Sequence, residues 1–410
     1  MTGSEAGAPD GSTGGRAALV YGAAVLAVLG YCALQVGMHI GFAILPDGSN
    51  WQQGDWLINS RLVPIRRGLF GSALIGLSDL TGIGLLTVTI AVQLGLLAAL
   101  LGALAAVFLP VRDRVAHLLL LASPGFVPLF WGNDPNGALR KEMVAFLALA
   151  LLVLALRRQD RWLHGLSAGL LMVSFFGSEI CVLFAPLFVG ATMLVGWRQS
   201  CSHFRLAMCV AVLAGALAAG AYAVIFASIA DAAAICAPLL RRGLTPYMCE
   251  GAIAYLTQSG GANAAQVRNY VLTTDLVHLL PISALIGMAG PAYVISLADR
   301  RGPLVLACLL AALPFIPLYL VAVDWGRWLN IQVFSVVLML VIAVQSGLVK
   351  LCRPVRPVAV ALLLMIGLYV SPDHTMRIIR GGVIAGLAMD WNGEDSRPTV
   401  PLSNSRSSLR

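Results

Sequence analysis

The chain has 410 residues, of which 59% are hydrophobic and 11% charged. A soluble domain carries roughly a quarter charged residues, so an ordinary soluble fold is excluded. The formal charge is +8, but the basic residues are scattered singly and in pairs between apolar runs, which leaves no basic face for nucleic acid.

Residues 1–16 are rich in Gly, Ser and Thr with one Arg, and read as a short disordered cytoplasmic tail. The first apolar run is too long for a signal-peptide core and reads as a retained span. About eleven apolar runs approach the ~20 residues that cross a bilayer. They are 17–45, 83–109, 115–131, 143–156, 165–178, 179–197, 205–229, 276–298, 303–323, 330–349 and 357–371. Several are short, and the fifth and sixth read equally as re-entrant or broken helices. The expected fold is therefore an all-α polytopic transmembrane bundle over 17–371. Its first outer loop is re-entrant or amphipathic, and 372–410 is a polar C-terminal tail.

Orientation follows from the short loops. Arg112, Arg114, Arg157, Arg158, Arg161, Arg198, Arg205, Arg300, Arg301, Lys350, Arg353 and Arg356 all fall on one side if the N-terminus is cytoplasmic. The expected location is a bacterial cytoplasmic (inner) membrane. The outer side then receives 46–82, 132–142, the turn near Glu179, 230–275, 324–329 and the tail. Arg61, Arg66, Arg67, Arg140, Lys141, Arg241, Arg242, Arg268 and Arg327 lie there, against the positive-inside bias. Charges kept near a membrane against that bias invite a functional explanation.

Cys236 and Cys249 share the long outer loop and form a disulfide candidate in an oxidising compartment. The other cysteines read as packing or cytoplasmic-loop residues. No Cys or His spacing suggests zinc, and the six histidines are isolated.

Four polar stretches carry chemistry. The first, 54–72, reads GDWLINSRLVPIRRGLFGS and holds Asp55, Arg61, Arg66 and Arg67. Paired guanidinium forks suit phosphate or pyrophosphate oxygens. Alternatively, Trp51, Trp56 and Leu57 would lie among headgroups, with the arginines on lipid phosphates. The second, GNDPNGALRKE at 132–142, brings Arg140, Lys141 and Glu142 to a span mouth. Asn133 or Asp134 could cap a helix there. The third is Glu179, set between apolar runs, which demands a partner such as Arg140 or an arginine of the first loop. Partial burial would suit it to general acid–base work. The fourth is DWGRWLN at 324–330, where helical spacing aligns Asp324 with Arg327 and Trp325 with Trp328. No Walker motif, HExxH, GxSxG triad or dinucleotide fingerprint is present, so ATP-driven transport and serine hydrolysis lack support.

The pieces R-R-G at 66–68, R-K-E at 140–142, S-E-I at 178–180 and D-W-G-R-W at 324–328 together resemble bacterial multispanning polysaccharide polymerases and glycosyltransferases of the Wzy and EpsG kind. The more distant resemblance is to the GT-C superfamily, which places an acid in the first outer loop, where Asp55 stands. Such proteins often carry a His before the acid of the internal span, where this chain has Ser178, and many have a soluble C-terminal domain that is not seen here. The resemblance implies a polyprenyl-(pyro)phosphate-linked sugar donor and a glycan or lipid acceptor at the outer face. Asp55 or Glu179 would be the base, and Asp324 would orient Arg327 or bind sugar hydroxyls. Arg61, Arg66, Arg67, Arg140, Lys141 and Arg327 would hold the phosphate. So many arginines make a metal unnecessary, although Asp55 with Asp324 could hold Mg²⁺. The main rival is a transporter or flippase for a lipid-linked or anionic solute, and a third reading is a scaffold within an envelope assembly complex.

Overall fold

The computed structural model describes residues 11–45, 47–199, 203–227, 231–258, 260–273, 276–376 and 379–384. The first half of the chain forms α1 (Gly11–His39, continued by a π-helical turn Ile40–Ile44), α2 (Gln52–Trp56), α3 (Gly68–Thr81), α4 (Leu85–Phe108), α5 (Arg114–Leu121), α6 (Val127–Asn133), α7 (Glu142–Arg158) and α8 (Arg161–Gly177). The second half forms α9 (Ala185–Gln199), α10 (His203–Ile225), α11 (Ala233–Leu240), α12 (Gly260–Thr273), α13 (Leu276–Leu297), α14 (Arg301–Ala312), α15 (Trp325–Gln345) and α16 (Pro357–Tyr369). A two-stranded antiparallel sheet follows, β1 (Val370–Pro372) and β2 (Ile379–Gly381).

Seven helices are long and apolar enough to cross a membrane: 15–44, 85–108, 179–196, 203–225, 278–297, 301–320 and 325–345. The chain is thus an all-α, multi-pass membrane bundle. The other four expected runs are shorter helices. Runs 143–156 and 165–178 are α7 and α8, of 17 residues each. At 1.5 Å per residue these rise roughly 25 Å, slightly less than a ~30 Å hydrocarbon core. Run 357–371 yields the 13-residue α16. Run 115–131 breaks into α5 and α6. The freed backbone at that break finds partners from the bundle: Ser123 Oγ donates to the Gly287 carbonyl at 2.5 Å, and Asn330 Nδ2 donates to that of Gly125 at 2.8 Å. Irregular backbone at such depth is tolerated when protein surrounds it.

The core is α7 and α15, each buried on nearly every face. Phe126, Phe146 and Phe334 fill the centre, with Phe334 5.6 Å from Phe126 and 4.1 Å from Phe146 between ring centroids. Peripheral helices such as α10 instead turn Leu206, Val210 and Leu217 outward, as a lipid-facing surface requires. Between the fifth and sixth runs a 3₁₀ turn, Glu179–Phe184, separates α8 from α9, and α8 itself is unbroken.

Three segments depart from the expected tails and loops. Helix α1 already begins at Gly11, so residues 11–16 are helical rather than a loose tail; residues 1–10 and 385–410 lie outside the described residues. In the first loop Trp56 and Leu57 are fully buried while Trp51 is exposed. That loop is therefore packed into the bundle, and Trp56 and Leu57 do not rest among headgroups. Finally, the chain after Ser371 does not start as a tail. It doubles back through the β1–β2 hairpin. Cys236 and Cys249 are joined as a disulfide with Cα atoms 5.8 Å apart. This disulfide-closed loop lies against the first one, where Asn59 Nδ2 donates to the Ile235 carbonyl at 2.9 Å and the Ala252 amide to that of Asn50 at 3.2 Å.

Candidate functional site

Four separate stretches converge at one end of the bundle, where α7 and α15 both begin. Short polar stitches set their positions. Gln52 Nε2 donates to the carbonyls of Pro135 and Ala138 at 2.8 and 3.1 Å. Trp56 Nε1 and Gln93 Nε2 both donate to the Leu139 carbonyl, at 2.7 and 3.0 Å. Leu139 itself holds φ +60°, and Arg67 holds φ +65°. A left-handed non-glycine residue costs roughly 1–2 kcal/mol, and such strain tends to gather at functional sites. Gly68 and Gly71 allow α3 to start hard against Ser60 and the Ile58 carbonyl, where a Cβ would collide.

The resulting charges interlock. Glu179 accepts from Arg66 Nη1 at 2.9 Å, from Arg67 Nε at 2.7 Å and from Arg67 Nη2 at 2.6 Å. Lys141 Nζ donates to the Arg67 carbonyl at 2.8 Å. Arg327 reaches Glu142 at 2.5 Å and Asp324 at 2.7 Å, and its guanidinium stacks 4.7 Å from the Trp328 ring. Arg140 Nη1 donates to the Trp51 carbonyl at 2.7 Å. Asp55 Oδ1 lies between Arg67 and Lys141, at 3.8 and 3.9 Å.

The cluster is graded in depth. Lys141 is 0% exposed and Glu142 3%, whereas the Glu179 and Asp324 side chains are 21% and 27% exposed. Several buried atoms lack a hydrogen-bond partner among the described residues: Asp55 Oδ1, Glu142 Oε2, and Nε of Arg66, Arg140 and Arg327. A buried polar atom left unpaired costs ~1–3 kcal/mol. Arg140 has no carboxylate within ion-pair distance among the described residues. Burial pushes the Lys141 ammonium down to about 8, against the opposing pull of Asp55.

Of the residues expected from sequence, Asp55, Arg66, Arg67, Arg140, Lys141, Glu179, Asp324 and Arg327 come together. Arg61 does not. It lies at the surface and donates to the Ser72 carbonyl on α3 at 3.1 Å. Arg242 is likewise elsewhere, paired with Asp79 at 2.7 Å. Glu179 pairs with the two first-loop arginines rather than Arg140. Three guanidinium N–H groups sit on its oxygens and favour the ionised form. The side chain of Asp134 caps no helix. Trp325 and Trp328 are buried, so neither anchors the bundle in an interface. The charged groups pack on one another rather than around an open hollow. A cavity of about 200 Å³, lined in part by Asp47, Thr87, Arg242 and Met248, includes none of these charged groups in its wall.

Two groups of residues at the site were given no role in it from sequence. Glu142 was visible as part of R-K-E, but its pairing with Arg327 depends on where α15 starts. The second group is Asp134, Asp373, His374 and Arg380. Asp134, Asp373 and His374 place ligand atoms within 4.8 Å of one another. Arg380 Nε lies against the same carboxylates, 2.6 Å from Asp373 and 3.6 Å from Asp134.

No protein-family model matches the chain, and no curated protein or solved structure matches it either.

Proposed function

We propose that the protein is a membrane glycosyltransferase or polysaccharide polymerase that takes a sugar from a polyprenyl-(pyro)phosphate donor to a glycan or lipid acceptor. The observation that carries this reading is the set of buried cations without hydrogen-bonded carboxylates. Among the described residues Arg140 has only a backbone carbonyl, and Lys141 has a backbone carbonyl and a distant Asp55. Buried charge of one sign is expensive unless something compensates it. A phosphate oxygen would do so, meeting the free Nε groups of Arg140 and Arg327.

In this reading Asp55 is the base. Its Oδ1 has no hydrogen-bond donor and would accept the proton of the acceptor hydroxyl. The deprotonated hydroxyl oxygen of the acceptor forms the new bond to the anomeric carbon. The bond from the anomeric carbon to phosphate breaks, and its electron pair leaves on a phosphate oxygen. Arg67, Arg140, Lys141 and Arg327 stabilise the charge developing there. Glu179, Glu142 and Asp324 hold the guanidiniums in place. The active end faces outward, in a bacterial inner membrane, with the N-terminus cytoplasmic and eleven runs crossing or entering the bilayer. The aromatic plug of Phe126, Phe146 and Phe334 beneath the cluster favours surface chemistry over a path through the bundle.

The test is sugar transfer from a labelled polyprenyl-phosphate donor in membranes carrying the protein. Asp55→Asn and Arg140→Ala should each abolish the labelled product while insertion stays normal. Wild-type product from both variants would overturn the assignment.

A further inference from the structure

The β1–β2 hairpin is not incidental to the charged cluster, because its turn ties two of the site's stretches together. The His374 carbonyl accepts from the Arg327 amide at 3.1 Å, in the first turn of α15. The His374 amide and Nδ1 both face Asp134 Oδ2, at 2.7 and 2.6 Å, in the loop that carries Arg140 and Lys141. Gly326 leaves room for this docking, since a Cβ there would strike the Asp373 carbonyl. The turn is braced in its own right. Asp373 Oδ2 accepts from the Thr375 hydroxyl at 2.6 Å, and Arg380 grips Asp373 from β2. Arg140 and Arg327 are like charges that act on each other electrostatically. Something must hold them at a working separation.

We propose that His374 is a positioning residue that bridges Asp134 to the start of α15 and so fixes the spacing of Arg140 and Arg327 for a lipid-borne phosphate. This rests on the functional reading above and adds the C-terminal hairpin to the site. The charged groups facing His374 are Asp134, Asp373, Asp324 and Arg380. Burial opposes its charge, but Asp134 and its neighbours raise its proton affinity above the ordinary histidine value. The charged form therefore tightens the side-chain contact to Asp134 at low pH, and that contact weakens as pH rises through the raised value.

The test uses the full chain in detergent, with undecaprenyl phosphate as the probe. Hydrogen exchange is read at residues 325–330 and, as a control, in α7. In Asp134→Asn the protection of 325–330 should fall about tenfold while α7 is unchanged. Affinity for undecaprenyl phosphate should fall by about the same factor, because misplaced groups lose binding steeply. Should Asp134→Asn not fold, a pH series on the wild type and His374→Gln replaces it. Wild-type protection, corrected for intrinsic exchange, should drop with rising pH, and His374→Gln should show no such step. Unchanged protection in Asp134→Asn, a flat wild-type series, or lost protection with unchanged affinity would each overturn the proposal. A wild type that binds no undecaprenyl phosphate sinks the functional reading instead.

Discussion

The two ends of the bundle differ in where unpaired buried groups gather. At the end where α4 and α7 finish, Arg157, Gln345 and Tyr21 cap helix carbonyls, and the unpaired buried atoms among the described residues, His164 Nε2 and Arg301 Nη2, lie apart on α8 and α14. Arg157 donates to the Ala106 and Val107 carbonyls at 2.9 and 3.3 Å, Gln345 to Val107 at 3.0 Å and Tyr21 to Phe108 at 2.6 Å. These are the orphan carbonyls of a helix C-terminus, with a cation at the negative end of the dipole. At the end where α7 and α15 begin, donors and acceptors are left over, on Asp55, Glu142, Arg66, Arg140 and Arg327. Satisfied polar groups explain themselves by stability. Unsatisfied buried ones require a missing ligand or stored strain. Under the proposed function the contrast separates charges that hold the fold from charges that would meet the substrate.

The largest effect that would break this contrast is on turnover. Asp55→Asn keeps the shape but removes the proposed base, and transfer should fall ~10²–10⁴-fold, the usual range for a general base. Arg157→Ala at the opposite end should leave the rate per folded molecule unchanged. Labelled transfer normalised to folded protein checks both. Next comes stability. Glu142→Ala leaves the buried Arg327 with one fewer anion, and a broken buried pair costs ~3–5 kcal/mol. It should lower the thermal midpoint in detergent more than Glu179→Ala does, because the Glu179 pair is partly open to solvent.

A third effect is on pH dependence. Lys141 titrates at about 8 in the folded protein, below its unfolded value. It carries its charge below that pH, so phosphate binding should weaken as pH rises through about 8. The unfolded chain binds more protons between the two values, so folding stability should rise over the same window. A Lys141→Gln variant should lose both trends. The smallest effect is at the exposed Asp79–Arg242 pair. Asp79→Ala should change neither transfer nor lipid binding measurably, as is usual for surface ion pairs.

Much of this was legible in the sequence, because lipid imposes simple rules. Apolar run length located all seven long helices, and the arginines placed against the charge bias marked the stretches that meet. What pattern could not show was pairing across the chain. Glu179 faces Arg66 and Arg67 because α3 packs beside α8, and Glu142 faces Arg327 because α7 and α15 start side by side. No local signal encodes either contact. Arg61 was misplaced for the same reason: it lies five residues before Arg66, yet it turns back along α3 to the Ser72 carbonyl. The short run 115–131 read as one span because its break is repaired by Asn330 and Gly287, remote in sequence. His374 seemed isolated, since its partner Asp134 is 240 residues away.

The most direct measurement compares undecaprenyl phosphate with undecaprenol, the same chain without its phosphate, on the purified protein by native mass spectrometry. Wild type should retain the phosphate strongly over the alcohol, and Arg140→Gln should retain the two alike. Equal retention by the wild type would mean that these buried cations do not grip phosphate at all.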